Sequence, residues 1–115
     1  MIQATNPFLQ KKCVPCAIGG QPVARTEAEA NLKFLNPAWK LSDDGKRIRR
    51  HYKFSDFAAA LKFVNEVGRI AEAEGHHPDI YFTWGKVEIE LYTHAVGGLS
   101  ENDFILAAKI DVLIS

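Results

Sequence analysis

The sequence predicts an α+β domain with the element order αββαββα, in which three helices pack on one face of a four-stranded antiparallel sheet. Three observations predict it. Two pairs of alternating segments are each joined by a short Gly-containing turn, helical segments flank and separate the two pairs, and the alternation requires one covered sheet face. At 115 residues the chain is one ordinary domain, which excludes a two-domain enzyme.

The first helix is predicted over residues 27–35. Thr26 and Glu29 have the spacing of a capping box, and apolar residues follow at helical spacing. Asn36 and Pro37 then end the helix, because proline cannot continue it.

The first hairpin is predicted around a turn at Asp43, Asp44 and Gly45. After this turn, apolar and basic side chains alternate, as expected for a strand with one covered face. The apolar set is Ile48, Tyr52 and Phe54, and the basic set is Arg47, Arg49 and His51.

The second helix is predicted to begin at Ser55 and to end at Gly75, where a left-handed C-cap is expected. Pro78 prevents any continuation of this helix. Its apolar stripe is wider than one sheet face can cover, which predicts a homodimer or a homotetramer. The stripe consists of Phe57, Ala60, Leu61, Phe63, Val64, Val67, Ile70 and Ala71.

The second hairpin and the last helix complete the predicted fold. Residues 79–84 and 87–94 alternate in polarity around a turn at Gly85. Ser100 and Asp103 then have the spacing of a second capping box, which opens the last helix.

The charge and hydropathy of the chain exclude several classes of function. Fourteen Lys and Arg residues balance fourteen Asp and Glu residues, for a formal net charge of +0, so direct nucleic-acid binding is not expected. No apolar run approaches the roughly 20 residues that cross a bilayer, so we expect no membrane partner. Residues 1–20 resemble neither a secretory signal nor a transit peptide, which favours a cytoplasmic or already processed protein.

Residues 1–25 are predicted to form an N-terminal arm outside a folded domain at residues 26–115. Cys13 and Cys16 form a Cys-x-x-Cys pair within this arm. A zinc ribbon needs a second pair of ligands, and a thioredoxin-like pair lies between a strand and a helix. Neither condition is met, so the pair is interpreted as part of an ordinary reduced arm.

Three of the four histidines carry the strongest chemical signal in the sequence. His76, His77 and His94 fall within 19 residues, whereas His51 lies apart among basic residues. An imidazole has an unperturbed pKa of about 6.5, so it can donate or accept a proton near neutral pH. Glu72 lies one helical turn before His76, where it could orient that imidazole.

Other interpretations of these residues remain open at this stage. Adjacent histidines at a helix end can simply bind its last carbonyl groups. A metal site formed by His76, His94 and Glu72 is a weaker alternative, because no His-x-x-x-His or similar ligand pair exists. The basic residues Lys46, Arg47, Arg49 and Arg50 are more typical of a solvated hairpin than of a phosphate site.

A longer pattern runs through the C-terminal half of the chain. An acidic residue is followed, after three intervening residues, by His-His-Pro, and an aromatic strand comes next. Thr-His then ends the following strand, before a Gly-Leu-Ser-Glu segment with Asp two positions further on. These motifs occupy Glu72 to Pro78, Tyr81 to Trp84, Thr93-His94 and Gly98 to Asp103.

This pattern resembles the pterin-4a-carbinolamine dehydratases, whose animal members double as a dimerization cofactor for a homeodomain transcription factor. The resemblance covers about residues 26–114 and implies the αββαββα fold. It implies that the catalytic histidines are His76, His77 and His94, and that no metal or cofactor takes part. The implied supporting and substrate-binding residues are Glu72, Asp103, Pro78, Ser100 and, as an aromatic wall of the site, Trp39.

The resemblance also implies a reaction. The substrate would be a pterin, 4a-hydroxytetrahydropterin, which loses water to give quinonoid dihydropterin and so recycles the pterin of aromatic amino acid hydroxylases. His76 and His94 would transfer protons, and His77 would hold the ring. Many relatives carry Arg where this chain has Asn102, so the cation that they place there is missing. The alternative is a non-catalytic binding or assembly module, or a transcriptional dimerization cofactor, on the same fold.

Overall fold

The computed structural model describes residues 6–15 and 20–114 and confirms the predicted element order. None of the helices in these two ranges is long and apolar enough to cross a membrane. The elements are α1 (Arg25–Leu32), β1 (Lys40–Leu41), β2 (Ile48–Lys53), α2 (Phe57–Glu74), β3 (Asp79–Thr83), β4 (Lys86–Leu91) and α3 (Glu101–Leu113), with a 3-10 turn at His94–Val96 between β4 and α3.

The four strands form one antiparallel sheet in the order β1-β2-β4-β3. In its central ladder, His51 lies opposite Glu88 and Tyr52 lies opposite Val87. The helices cover the face that carries Tyr52 and Val87, while the face that carries His51 is open to solvent. α2 packs against β3, β4 and α3, and His76, which follows its C-terminal end, reaches Asp103 in the first turn of α3. This placement brings the ends of α2 and β4 to one site.

The boundaries of α1 differ from the prediction. The helix begins at Arg25, with Ala24 as an N-cap that makes no side-chain bond, so the capping box expected from Thr26 and Glu29 is wrong. The chain leaves the α-helix after Leu32 because residues 33–35 form tighter hydrogen bonds to carbonyls three positions back.

The ends of α2 are fixed by two different caps. Asp56, and not the predicted Ser55, is the N-cap, since its carboxylate accepts a hydrogen bond of 2.8 Å from the backbone N–H of Ala59. At the other end, Gly75 has a φ of 68°, which confirms the left-handed C-cap. A residue with a Cβ would be strained there, so glycine sets the direction in which the chain leaves the helix.

Arg50 lies on the covered face of β2, which corrects its assignment to a solvated hairpin. Its guanidinium donates a hydrogen bond of 2.6 Å to Asp111 in α3, and both side chains are buried. The indole N–H of Trp39 donates to the same oxygen, Asp111 Oδ1, at 2.8 Å. These bonds join α3 to the first hairpin at the end of the helix that lies away from the histidines.

The described part of the N-terminal arm belongs to the folded domain, so the expected start of the domain near Thr26 is wrong. Phe8 is buried in the core, where its ring stacks on Phe104 at a centroid distance of 5.8 Å. The Asn6 side chain donates to the Phe34 carbonyl at 2.7 Å and accepts from the Phe8 N–H at 2.9 Å. A hydrophobic ring anchored in this way explains why the segment packs on the domain.

We expect Phe8→Ala to lower the free energy of unfolding by about 3 kcal/mol, because it empties a buried aromatic site. Urea denaturation followed by fluorescence measures this. Trp84→Ala is the control, since Trp84 is 66% exposed and its loss should change stability far less. Equal midpoints for Phe8→Ala and the wild type would show that the segment does not pack on the domain in solution.

Candidate active site

Four separate parts of the chain meet at a cleft of about 300 Å³, here called the histidine cleft, and the N-terminal arm contributes Val14 and Pro15 to it. The exit from α2 supplies His76 and His77, the turn after β4 supplies His94, and the first turn of α3 closes the base with Asn102. The full lining is Val14, Pro15, Gly75, His76, His77, Tyr92, Thr93, His94, Ala95 and Asn102. The fold therefore brings all three predicted histidines together.

Asp103 organises the interior of this site. Its side chain is fully buried, and its Oδ2 accepts hydrogen bonds from the Ser100 N–H at 2.9 Å and from the Thr93 hydroxyl at 2.8 Å. Its Oδ1 lies 2.6 Å from Nε2 of His76. The predicted capping box at the start of α3 is thus present, and the same carboxylate reaches the histidine.

The contact with Asp103 fixes the orientation of His76. A carboxylate only accepts hydrogen bonds, so the neutral imidazole carries its proton on Nε2 and leaves Nδ1 as the acceptor. The His76 side chain is 12% exposed, which leaves little freedom for the ring to turn. His76 is therefore an imidazole of fixed orientation, with Nδ1 as its acceptor nitrogen.

Glu72 contacts His77 and not His76, which corrects the predicted pairing. Glu72 Oε2 lies 2.6 Å from His77 Nε2, and both side chains are largely exposed. The reason is the left-handed conformation of Gly75, which ends the helical periodicity before either histidine. His76 consequently turns toward α3, and His77 lies on the side of α2 that carries Glu72.

His94 lies at the solvent-exposed rim of the cleft. Its ring packs edge-on against Tyr92, with centroids 4.5 Å apart and planes at 86°. A bridge between Thr93 and Gly98 closes the turn beneath it, because the Thr93 N–H donates to the Gly98 carbonyl at 2.8 Å. His94 is held by packing, and its ring is accessible to water.

The other predicted site residues lie outside the lining of the cleft. Ser100 caps α3, and its hydroxyl lies 2.8 Å from the Thr93 hydroxyl beneath the histidines. Pro78 is half-buried at the start of β3. Trp39 is 3% exposed and bonded to Asp111 in the core, so its prediction as an aromatic wall of the site is wrong for this chain.

Sequence reasoning missed Tyr92, Val14 and Pro15 as lining residues. Tyr92 directly precedes the Thr-His motif, which is a signal that could have identified it. Val14 and Pro15 lie some 60 residues before the histidines in sequence, and nothing in their local pattern indicates a cleft.

The described residues contain no group of three or more His, Cys, Asp or Glu side chains arranged to hold a metal ion. The alternative set of His76, His94 and Glu72 does not form one, because His76 and Glu72 bind different partners. Cys16 lies outside the described residues, so the Cys-x-x-Cys pair stays a prediction.

Comparison with known proteins places this geometry in a family. A family model described as pterin 4 alpha carbinolamine dehydratase matches residues 21–113. The chain belongs to this dehydratase family. The solved dehydratase fold is also present: the crystal structure of a transcriptional coactivator/pterin dehydratase from Brucella melitensis aligns with a TM-score of 0.77 and 28% identity, over 83% of this chain and 100% of that one.

Bacterial relatives extend the similarity beyond the family model. A protein of Alkaliphilus metalliredigens, provisionally named a pterin-4-alpha-carbinolamine dehydratase, is 44% identical over 92% of this chain and 95% of its own length. A protein of Halorhodospira halophila with the same name is 50% identical over 90% and 94%. An alignment over 92% of the chain includes more than half of residues 1–25, so the resemblance extends into the N-terminal arm.

A more distant match shows the fold alone. A pterin dehydratase-like protein identified as a RuBisCO assembly factor in the alpha-carboxysome aligns with a TM-score of 0.57 and 23% identity, over 66% of this chain and 88% of that one. The dehydratase fold therefore occurs in a protein with an assembly function.

We expect Asp103→Asn to lower the free energy of unfolding by about 2 kcal/mol, because an amide cannot accept all three buried hydrogen bonds. Urea denaturation measures the loss. Glu101→Gln is the matched control: Glu101 is exposed on the same helical turn, and its ion pair with Lys11 should contribute less than about 0.5 kcal/mol. Unchanged stability in Asp103→Asn would contradict the central role assigned to this carboxylate.

Proposed function

We propose that this dehydratase-family protein converts 4a-hydroxytetrahydropterin to quinonoid dihydropterin and water by histidine acid–base catalysis. One observation carries the proposal: three histidines line a single cleft, and a buried carboxylate orients one of them. Family membership supports the reaction class, and the cleft supports the mechanism.

The reaction moves two protons and one electron pair within the substrate. An acid protonates the hydroxyl group on C4a, and the C4a–O bond breaks as water leaves. The N5 lone pair forms the C4a=N5 double bond, and a base accepts the N5 proton. No net oxidation or reduction occurs, so two positioned imidazoles supply all the chemistry that is needed.

His76 is the proposed base. Asp103 holds its Nε2–H, which leaves Nδ1 to accept the N5 proton, and the carboxylate then stabilises the imidazolium that forms. A base fixed in this way loses no entropy in finding its orientation when the substrate binds.

His94 is the proposed acid, and His77 is proposed to hold the ring. The exposed position of His94 lets bulk water restore its proton after each turnover, as an acid catalyst requires. His77 Nε2 is paired with Glu72, so Nδ1 of the neutral ring can accept a hydrogen bond from an N–H group at the polar edge of the pterin. Together the three histidines would contact the ring from different sides.

The wider role proposed is recycling of the pterin that aromatic amino acid hydroxylases use. A homodimer or homotetramer and a cytoplasmic location remain predictions. Phe57 and Leu61 on α2 are 49% and 39% exposed, and these apolar side chains support assembly with further copies. The non-catalytic alternative is a binding or assembly module, or a transcriptional dimerization cofactor.

We expect the purified protein to accelerate dehydration of 4a-hydroxytetrahydropterin, generated in place by a hydroxylase, and to keep full activity after chelation. The rate of dehydration is measured from the absorbance of the quinonoid product. A rate at the uncatalysed background with several pterin side chains would reject the enzymatic function and favour the binding module.

Variants of the histidines show whether the activity comes from the cleft. His76→Ala and His94→Ala should each lower kcat about a hundredfold, the low end of what one positioned acid or base contributes. His51→Ala is the control, because His51 lies on the open sheet face, away from the cleft. An equal loss in His51→Ala would show that the chosen histidines are wrong.

A further inference from the structure

We propose that Val14 and Pro15 form an apolar wall of the substrate cleft and that Asn102 is the residue that positions this wall. The inference rests on the proposed function and adds a binding determinant to it. The family comparison assigns no role to any of these three residues. Val14 and Pro15, together with Cys13, which anchors them, form the N-terminal wall.

The side chain of Asn102 binds the N-terminal wall through two backbone hydrogen bonds. Its Oδ1 accepts from the Val14 N–H at 3.0 Å, and its Nδ2 donates to the Val14 carbonyl at 2.6 Å. A carboxamide can make this reciprocal pair because it carries both a donor and an acceptor. Asn102 is 5% exposed and belongs to the first turn of α3, so the wall is attached to a rigid element.

A second attachment fixes the residue before Val14. The Cys13 N–H donates a hydrogen bond of 2.8 Å to Glu74 at the end of α2, and Lys109 pairs with the same carboxylate at 3.0 Å. The bond from Cys13, together with Lys109, holds the pKa of Glu74 below its usual value. The wall is therefore bound to both helices that frame the cleft.

The wall presents two apolar side chains to a cleft whose other lining side chains, apart from Ala95, are imidazoles, a phenol and polar groups. Val14 is 63% exposed, so its side chain contributes little to the core and remains available to a ligand. A flat bicyclic ring has two weakly polar faces, and the face turned away from the imidazoles gains affinity when it packs on an apolar surface.

The carboxamide of Asn102 suits this position because it offers both a donor and an acceptor to the backbone of Val14, which an arginine side chain would not. A guanidinium has no acceptor, so it cannot satisfy the Val14 N–H as the carboxamide does. In this chain the position contributes to binding indirectly, through the backbone of the wall. The wall lies outside the proposed proton-transfer path, so it should determine KM and leave kcat almost unchanged.

The experiment uses Asn102→Leu, which keeps the size of the side chain and removes both bonds, and Val14→Ala, which keeps the bonds and trims the wall. Dehydratase kinetics should show KM raised about tenfold in Asn102→Leu, with kcat within about twofold of the wild type. Val14→Ala should raise KM by about threefold.

The reactivity of Cys13 measures attachment of the wall independently of activity. Burial and the neighbouring Glu74 raise the pKa of the Cys13 thiol to about 12. While the wall is attached, this thiol should therefore react slowly with iodoacetamide. All variants carry Cys16→Ser, so that only Cys13 can react. At pH 8, Cys13 in the Asn102→Leu variant should be alkylated at least tenfold faster than in the protein without this change, whereas Val14→Ala should not alter the rate. Lys11→Met is the control: it removes the exposed ion pair with Glu101 and a cation–π contact with Phe8, neither of which touches residues 13–15, and it should change neither measurement.

The outcomes separate this inference from the proposed function. Wild-type turnover with an unchanged KM in both Asn102→Leu and Val14→Ala would overturn the wall while leaving the dehydratase function intact. Unchanged alkylation in Asn102→Leu would overturn the positioning role of Asn102. A wild type without turnover would reject the proposed function and with it the wall as a substrate contact, and the alkylation rates would still decide whether Asn102 holds the segment.

Discussion

The rest of the site depends on the hydrogen bonds of one buried carboxylate, that of Asp103. It accepts hydrogen bonds from the first residue before α3 and from the turn after β4, and it also binds the imidazole at the exit from α2. The three donors come from three different places: Ser100 precedes α3, Thr93 follows β4, and His76 follows α2. A fully buried charge persists only when its partners satisfy it, so folding and assembly of the cleft are one event.

The two ends of α3 are held in similar ways and serve different purposes. At the C-terminal end, Asp111 binds Arg50 and Trp39 and ties the helix to the first hairpin. At the N-terminal end, Asp103 binds Nε2 of His76 and leaves Nδ1 as an acceptor, and Asn102 beside it binds the N-terminal wall. The contacts of Asp111 stabilise the fold. The contacts of Asp103 and Asn102 shape a cleft in which histidine acid–base chemistry can take place.

The order of elements, the Gly75 cap and the capping box at Ser100 were predictable because each depends on local spacing that a sequence displays directly. The grouping of the histidines was predictable from motif spacing. The partner of Glu72 was not, because one left-handed glycine redirects the chain after helical periodicity has been counted. The positions of Trp39 and Val14 were also unpredictable, since both depend on contacts with α3, more than 70 residues away in sequence.

The most direct test of the account is the tautomeric state of His76, measured by two-bond ¹H–¹⁵N NMR at a pH where the ring is neutral. If Asp103 orients the ring, the spectrum of His76 will show a single tautomer with the proton on Nε2. The exposed His51 will instead show a mixture of the two tautomers. His76 with its proton on Nδ1, or with a tautomer mixture like that of His51, would contradict the claim that one buried carboxylate prepares the base of this site.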